Sequence, residues 1–353
     1  MARIRTSIFK TPQKNLKANL NAGVIGLGVG ESHITGLLAH PRCNVSTICD
    51  LDEEVLKTVG QRYPSCQLTV DPLSILDDTN IDIVCIASYD DAHESQVLRA
   101  LRNNKHVFVE KPLCLSGKEL NNIADELNSK PHLSFSSNHI LRKTPRFVEL
   151  KERISSNLLG EIFHMEGSYD YGRLHKLTDG WRGQISNYSV TLGGGIHIID
   201  LMLWLSGKKV SSVFARGNNI ATSISQFEGL SLTTSVLQFE DGSTGQITSN
   251  FASVAPHHHK LSLYGSSGTF EQSHSGTSYF WSRDPLDKAE EVISAYPGAA
   301  KGDLIVDFID SILSSTLPLV SKQEVFDAMS VCLAIDQSIA SGSPQVVNYQ
   351  TIL

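Results

Sequence analysis

The sequence predicts an α/β fold: a doubly wound parallel-sheet domain first, then an α+β domain on a large, mostly antiparallel open sheet. Three observations carry this. Apolar strands alternate with helical segments from residue 22 to about 140, which implies right-handed crossovers and a parallel sheet. A glycine-rich turn joins the first strand to the first helix, a strand-turn-helix arrangement with a specific physical use. Beyond residue 140 strands follow one another directly, with turn residues such as Asp241-Gly242 between them, which marks hairpins. A chain of 353 residues suits two such units.

The first unit reads in order. Ala22–Ile25 is a short apolar strand that runs into Gly26-Leu27-Gly28-Val29-Gly30 and a helix over 31–38. A second strand, Asn44–Cys49, ends at Asp50. Glycines let the backbone turn tightly and approach a pyrophosphate, while the helix N-terminus offers unpaired N–H groups and a positive dipole end. Asp50 stands where a carboxylate accepts hydrogen bonds from ribose hydroxyls. Leu51 and Asp52 follow it, with no arginine to pair a 2′-phosphate, which favours NAD over NADP. The turn departs from GxGxxG: residue 31 is Glu31, and the third glycine comes one place early, at Gly30.

Alternation then continues. The pattern predicts a helix over 52–61, a strand over 67–70, a buried strand over 81–87 and a helix over 92–103, with Asp90 and Asp91 as candidate caps. Val107-Phe108-Val109 is a strand that stops on Glu110-Lys111-Pro112. Ligands of open parallel sheets bind beyond the carboxyl ends of the strands, so Lys111 is expected on rigid scaffold beside the crevice. A helix over 117–127 and a strand over 133–137 complete the unit. The expected division is an extension over 1–20, a dinucleotide-binding domain over 21–140 and a substrate and oligomerisation domain over 141–353.

The second unit is predicted to hold helices over 145–157, 196–205, 302–314 and 322–340. Its strands are expected over 161–171, 210–216, 231–240, 244–251, 260–265, 268–272 and 345–349. Segment 173–195, with Gly180, Gly193, Gly194 and Gly195, reads as a mobile loop over the site.

Composition excludes several function classes. The formal charge of −7 argues against nucleic acid as the main partner. Apolar residues make up 41% and charged residues 19%, as in soluble globular chains. No apolar run reaches membrane-span length, and the basic first residues lack the apolar core of a signal peptide. The six cysteines show no CxxC spacing, so they read as core residues in a reducing compartment. A cytoplasmic location is expected. His257, His258 and His259 alternate faces of a strand; they are expected at a solvent rim or oligomer contact, and no metal is expected.

Several motifs in register resemble the Gfo/Idh/MocA oxidoreductase family from about residue 22 to the C-terminus. They are the glycine loop with His33; Ile86-Ala87-Ser88 with His93; Lys105-His106-Val107 leading to Glu110-Lys111-Pro112; Leu159-Gly160-Glu161-Ile162; and Gly193-Gly194-Gly195-Ile196-His197-Ile198-Ile199-Asp200. The resemblance implies an NAD(P)-binding Rossmann domain, and a second domain whose open sheet forms a homodimer or homotetramer interface. It also implies oxidation or reduction of a sugar or cyclitol hydroxyl. By position, Lys111 matches the family's catalytic lysine, His197 the histidine of its D-x-x-x-H-x-x-D motif and Asp200 the final acid. The first acid of that motif is replaced by Gly193.

The chemistry fits these residues. Removing a hydroxyl proton as hydride leaves needs a base titrating near working pH. Burial and neighbouring positive charge bring a lysine down toward that range, and a histidine starts near it. Lys111 and His197 are therefore the catalytic candidates. Gly26, Gly28, Gly30, Ser32, Asp50, Ser88, His93, Glu110 and Lys111 are the cofactor candidates. Arg142, Tyr171, Arg173, Lys176, Trp181, Arg182 and Asp200 are the substrate candidates, a basic and aromatic set that suits an anionic sugar, such as a nucleotide sugar or sugar acid. Two other readings share the fold: a glycosidase that oxidises its sugar transiently, and a dinucleotide-binding regulator without turnover.

Overall fold

The computed structural model describes residues 19–185 and 188–353. The extension expected over 1–20 lies almost wholly outside the described residues. The first unit runs β1 (Leu20–Ile25), α1 (Gly30–Leu38), β2 (Cys43–Cys49), α2 (Glu53–Arg62), β3 (Gln67–Thr69), α3 (Leu73–Leu76), β4 (Ile83–Ile86), α4 (His93–Arg102), β5 (His106–Val109), α5 (Gly117–Ser129) and β6 (Phe135–Ser137). Its strands form one sheet in the order β3-β2-β1-β4-β5-β6, and every pairing is parallel. Strands covered on both faces carry unbroken apolar runs: Ile83, Val84, Cys85 and Ile86 are all fully buried. The helices keep their apolar stripes inward, as with Val97, Leu98, Ala100 and Leu101 of α4. Asp52 caps α2 by accepting from the N–H groups of Glu54 and Val55. Strand order reverses between β1 and β4, which opens the crevice where ligands of such sheets bind.

The second unit runs α6 (Pro145–Ser155), β7 (Ile162–Asp170), α7 (His175–Thr178), α8 (Ile196–Ser206), β8 (Val210–Asn218), β9 (Leu232–Phe239), β10 (Thr244–Asn250), β11 (His258–Gly265), β12 (Thr269–Ser273), β13 (Gly276–Phe280), β14 (Glu290–Glu291), α9 (Asp303–Ser314), α10 (Lys322–Ser341) and β15 (Gln345–Val346). The sheet order is β14-β13-β12-β11-β7-β10-β9-β8-β15. Within this sheet, among the described strands, only β7 and β10 pair in parallel; its other pairings are antiparallel. The expected hairpin holds: β9 pairs with β10 across Gly242, whose φ is +92°. Helix α8 lies tight on β7, since a Cβ on Gly167 would stand 2.4 Å from the Ile198 side chain. Helix α9 returns to the first unit and packs against α1. There the backbones touch, and a Cβ on Gly36 would stand 2.5 Å from the Gly302 carbonyl oxygen.

Two expectations are corrected. Strand pairing at the C-terminus stops after Val346, and Tyr349 instead donates its hydroxyl to the Val210 carbonyl (3.0 Å). The described part of segment 173–195 nearest the site is not a loose lid. Thr191–Gly195 forms a wide helical turn continuous with α8, and all five residues are buried. The glycines serve packing there: a Cβ on Gly194 would meet the Tyr169 ring at 2.4 Å, and one on Gly195 the Ser249 hydroxyl at 2.1 Å.

Candidate active site

The glycine turn closes the crevice at the end of β1. Gly26 has a φ of +84°, and a Cβ there would lie 2.3 Å from the Ala87 carbonyl, so only glycine lets β1 and β4 end side by side. Gly28 faces open space, with no atom within 4 Å of a built Cβ. Gly30 starts α1, which has no side-chain cap, leaving its first N–H groups without a side-chain partner at the end of β1; Ser32 lies in that first turn, its N–H donating to the Val29 carbonyl at 2.9 Å. Asp50 braces the turn: one carboxylate oxygen accepts from Leu27 N–H (2.7 Å) and the other from Asp52 N–H (2.9 Å). These open N–H groups, the uncrowded glycine and the half-buried acid fit a dinucleotide.

Glu110 and Lys111 end β5, and the Lys111–Pro112 peptide is cis. Burial alone would raise the Glu110 carboxyl. His33 at 3.1 Å, Lys111 beside it and the Asn138 amide donating at 2.7 Å hold it instead at about 2. Glu110 is thus a fixed carboxylate. Burial lowers the Lys111 amine below its usual range, as a base requires. Its Nζ donates to the Gly193 carbonyl at 3.0 Å, so the lysine of the first unit is aimed at the wide turn of the second.

His197 follows on that turn, on the first residues of α8. Burial first, then the Lys111 charge, push its pKa well below the usual histidine value. Its ring stacks on Tyr169 at 5.6 Å, and its Nδ1 is buried with no hydrogen-bond partner among the described residues. Tyr169 also meets Tyr171, Phe251, His257 and His259, which makes an aromatic wall beside His197.

Several expected residues do not line this cleft, and their roles are corrected. Arg142 and Asp200, both 1% exposed at the side chain, form a buried bidentate ion pair at 3.1 and 2.7 Å. Glu324 adds a second partner at 2.6 Å. Through Arg142 they tie α8 to α10, so both side chains are already engaged within the protein. His93, fully buried, lies between the Pro112 carbonyl (2.7 Å) and the Ser88 carbonyl (3.2 Å). It braces the β4 and β5 ends instead of touching cofactor. Ser88 itself donates to Gln96 at 2.8 Å. Asp90 caps no helix; it is buried. Tyr171 joins the aromatic wall and Arg182 lies over Trp181 at 4.4 Å with its Nε on Tyr188, while Arg173, over the Tyr171 ring at 5.1 Å, and Lys176 are exposed. His257 and His259 belong to the aromatic wall, not to a solvent rim. The alternation of faces holds, since His258 turns away and packs on His274 at 4.4 Å.

Sequence reasoning did not place Tyr188. Its hydroxyl fills the space of a side chain at Gly193: a built Cβ there would lie 1.8 Å from it. Arg182 Nε donates to the same hydroxyl at 3.0 Å. No local signal announces this contact; the absent side chain at Gly193 was the only trace.

Family models match both units. Residues 20–139 match the oxidoreductase family with an NAD-binding Rossmann fold, and 147–271 match the GFO/IDH/MocA C-terminal domain. The chain belongs to the Gfo/Idh/MocA family of oxidoreductases. Its first unit is an NAD-binding Rossmann domain. Myo-inositol 2-dehydrogenase of Thermotoga maritima is 24% identical over 259 residues, which is 70% of this chain and 74% of that protein. Levoglucosan dehydrogenase of Pseudarthrobacter phenanthrenivorans is 28% identical over 203 residues, 54% of this chain and 52% of that protein. Levoglucosan dehydrogenase in complex with NADH and levoglucosan superposes with a TM-score of 0.82 at 21% identity, over 94% of this chain and 99% of that one. The likeness in structure spans both units.

Proposed function

We propose that this family member oxidises a ring hydroxyl of a cyclitol or sugar, or reduces the matching ketone, with Lys111 and His197 handling the proton. The observation that carries the reading is Lys111 Nζ held 3.0 Å from the Gly193 carbonyl, on the turn that leads into His197. Relatives named for inositol and levoglucosan support the substrate class. When bound, NAD supplies the hydride acceptor. Gly26, Gly28, Gly30, Ser32 and Asp50 would hold it, and Glu110 would fix the floor beside Lys111. Neutral Lys111 takes the hydroxyl proton as the C–H hydride leaves, so the carbinol becomes a ketone and the amine an ammonium. Half-buried His197, its pKa pushed well below the usual histidine value, orients the hydroxyl or passes the proton on.

The aromatic wall of Tyr169, Tyr171 and Phe251 offers an apolar sugar face a surface to lie on. Arg173 and Lys176 make no ion pair among the described residues, and they support a carboxylate or phosphate on the substrate. The exposed outer face of the larger sheet carries Phe163, Phe214 and Val236, which supports self-association there. NADH formation is the test, on a panel of inositols, anhydrosugars, sugar acids and nucleotide sugars. Saturable turnover on any member supports the reading. Release of sugar without net NADH would favour the transient-oxidation glycosidase. Tight NAD binding with no turnover across the panel would favour the regulator.

A further inference from the structure

Resting on the dehydrogenase reading above, the geometry points to Asp90 and Arg182 as opposed positioning residues that set the protonation state of Lys111, with Tyr188 pinning the arginine above Gly193. Lys111 has no carboxylate ion pair among the described residues; its amine meets a neutral carbonyl. Charge must reach it from groups nearby. Asp90 follows β4 and Lys111 follows β5, and these strands are parallel neighbours. The His93 ring lies between the carbonyls of Ser88 and Pro112, so the segment after β4 that carries Asp90 is tied to the segment after β5 that carries Lys111.

Asp90 is 6% exposed, and its carboxylate makes no side-chain hydrogen bond or ion pair among the described residues. A largely buried carboxylate without such a partner acts on its neighbours through its charge. Arg182 arrives from the second unit along a stack. Its guanidinium lies 4.4 Å over the Trp181 ring, and Trp181 lies 4.9 Å from Tyr89, the residue before Asp90. Nε then donates to Tyr188, whose hydroxyl stands in the place of a side chain at Gly193. One continuous path therefore joins Asp90, Arg182, Tyr188, Gly193 and Lys111.

The groups acting on Lys111 are Glu110, Asp90, Arg182 and Tyr171, with His197 and His139 also within its field. Those acting on Asp90 are His93, Lys111, Arg182 and Glu110, and Tyr188 also feels Asp90. Glu110 is held as a carboxylate by His33 and Asn138 and gives a constant background. Asp90 and Arg182 pull in opposite directions. The carboxylate favours the ammonium and the guanidinium favours the free amine. Burial raises Asp90 itself, so its charge is the one most open to change.

Competitive acetylation of Lys111 across pH, read by mass spectrometry on the intact protein, tests this without any substrate. Asp90→Asn is expected to move the labelling midpoint down, and Arg182→Met up, each by about half to one pH unit. Tyr188→Phe should follow Arg182→Met by a smaller step, because it frees the guanidinium. The acid limb of kcat/KM should move in the same order. Thermal melts confirm that each variant is folded, and each tests the pair separately. Midpoints within about 0.2 units of wild type in both charge variants, or shifts of the same sign, would overturn the assignment. Opposed shifts in a protein with no turnover on any polyol would uphold the charge pair and sink the dehydrogenase reading alone.

Discussion

The Tyr188 hydroxyl occupies the space that a side chain on Gly193 would take: a Cβ on Gly193 would lie 1.8 Å from that oxygen. The two positions are therefore coupled, and a larger residue at one requires a smaller residue at the other. Gly193→Asp alone should displace Tyr188 and release Arg182, costing about 1–3 kcal/mol of stability as an overpacked core. In combination with Tyr188→Ala the clash is gone. A double-mutant cycle by thermal and urea unfolding should show the two changes non-additive by about 1 kcal/mol or more. Additive effects would mean that the two side chains do not share that space.

Asp50 has a structural duty besides its expected one. Its carboxylate accepts from Leu27 N–H in the glycine turn, so Asp50→Ala should loosen the turn and remove the ribose acceptor together. Titration calorimetry should find NAD affinity reduced about 10- to 100-fold, the worth of one charged hydrogen bond. NADP should bind wild type more weakly than NAD. Equal affinity for the two would remove Asp50 from ribose recognition.

The Arg142–Asp200 pair predicts a large stability effect away from the chemistry. Asp200→Ala leaves a buried guanidinium with Glu324 as its one remaining carboxylate beside the Leu319 carbonyl, and truncating one partner of such a pair costs about 3–5 kcal/mol. Urea unfolding should report it. A variant that unfolds at the wild-type midpoint would show that the pair carries no such cost.

Asp336 supplies a pH-dependent prediction. Burial raises its carboxyl from the ordinary value to about 7, while Ser189, donating at 2.9 Å, and Thr191 act the other way. The folded protein thus holds this proton more tightly than the unfolded chain does. The sign follows: stability is lost as pH rises from about 4 to about 7, and the loss is complete above 7. Asp336→Asn removes the loss. Its unfolding free energy should exceed that of wild type by about 1–3 kcal/mol at pH 8 and by little at pH 4. A difference that does not vary with pH would contradict the shift.

The sequence made legible what local pattern encodes. The glycine turn, Asp50 and the Lys111 strand end each sit within one strand-turn-helix unit, so spacing alone placed them at the crevice. It also made legible the alternating faces of His257 to His259, though not which face meets the site. What it hid are contacts between residues far apart in the chain. Arg142 and Asp200 look like substrate ligands until α8 and α10 are seen to trap them. Gly193 to Gly195 look like part of a mobile loop until Tyr188, Tyr169 and Ser249 are seen filling the space where side chains would stand. Asp90 looks like a cap because it precedes a helix, and only the pairing of β4 with β5 brings its segment into the neighbourhood of Lys111.

The central claim is that Lys111 performs proton chemistry and does not merely support the fold or hold cofactor. Lys111→Met, which keeps the length and loses the amine, tests it when turnover and NAD binding are measured on the same preparation. Turnover on the best substrate should fall by about 10²–10⁴, with NAD affinity within about threefold of wild type and an unchanged melt. Turnover within about tenfold of wild type, in a folded variant that still binds NAD, would contradict it.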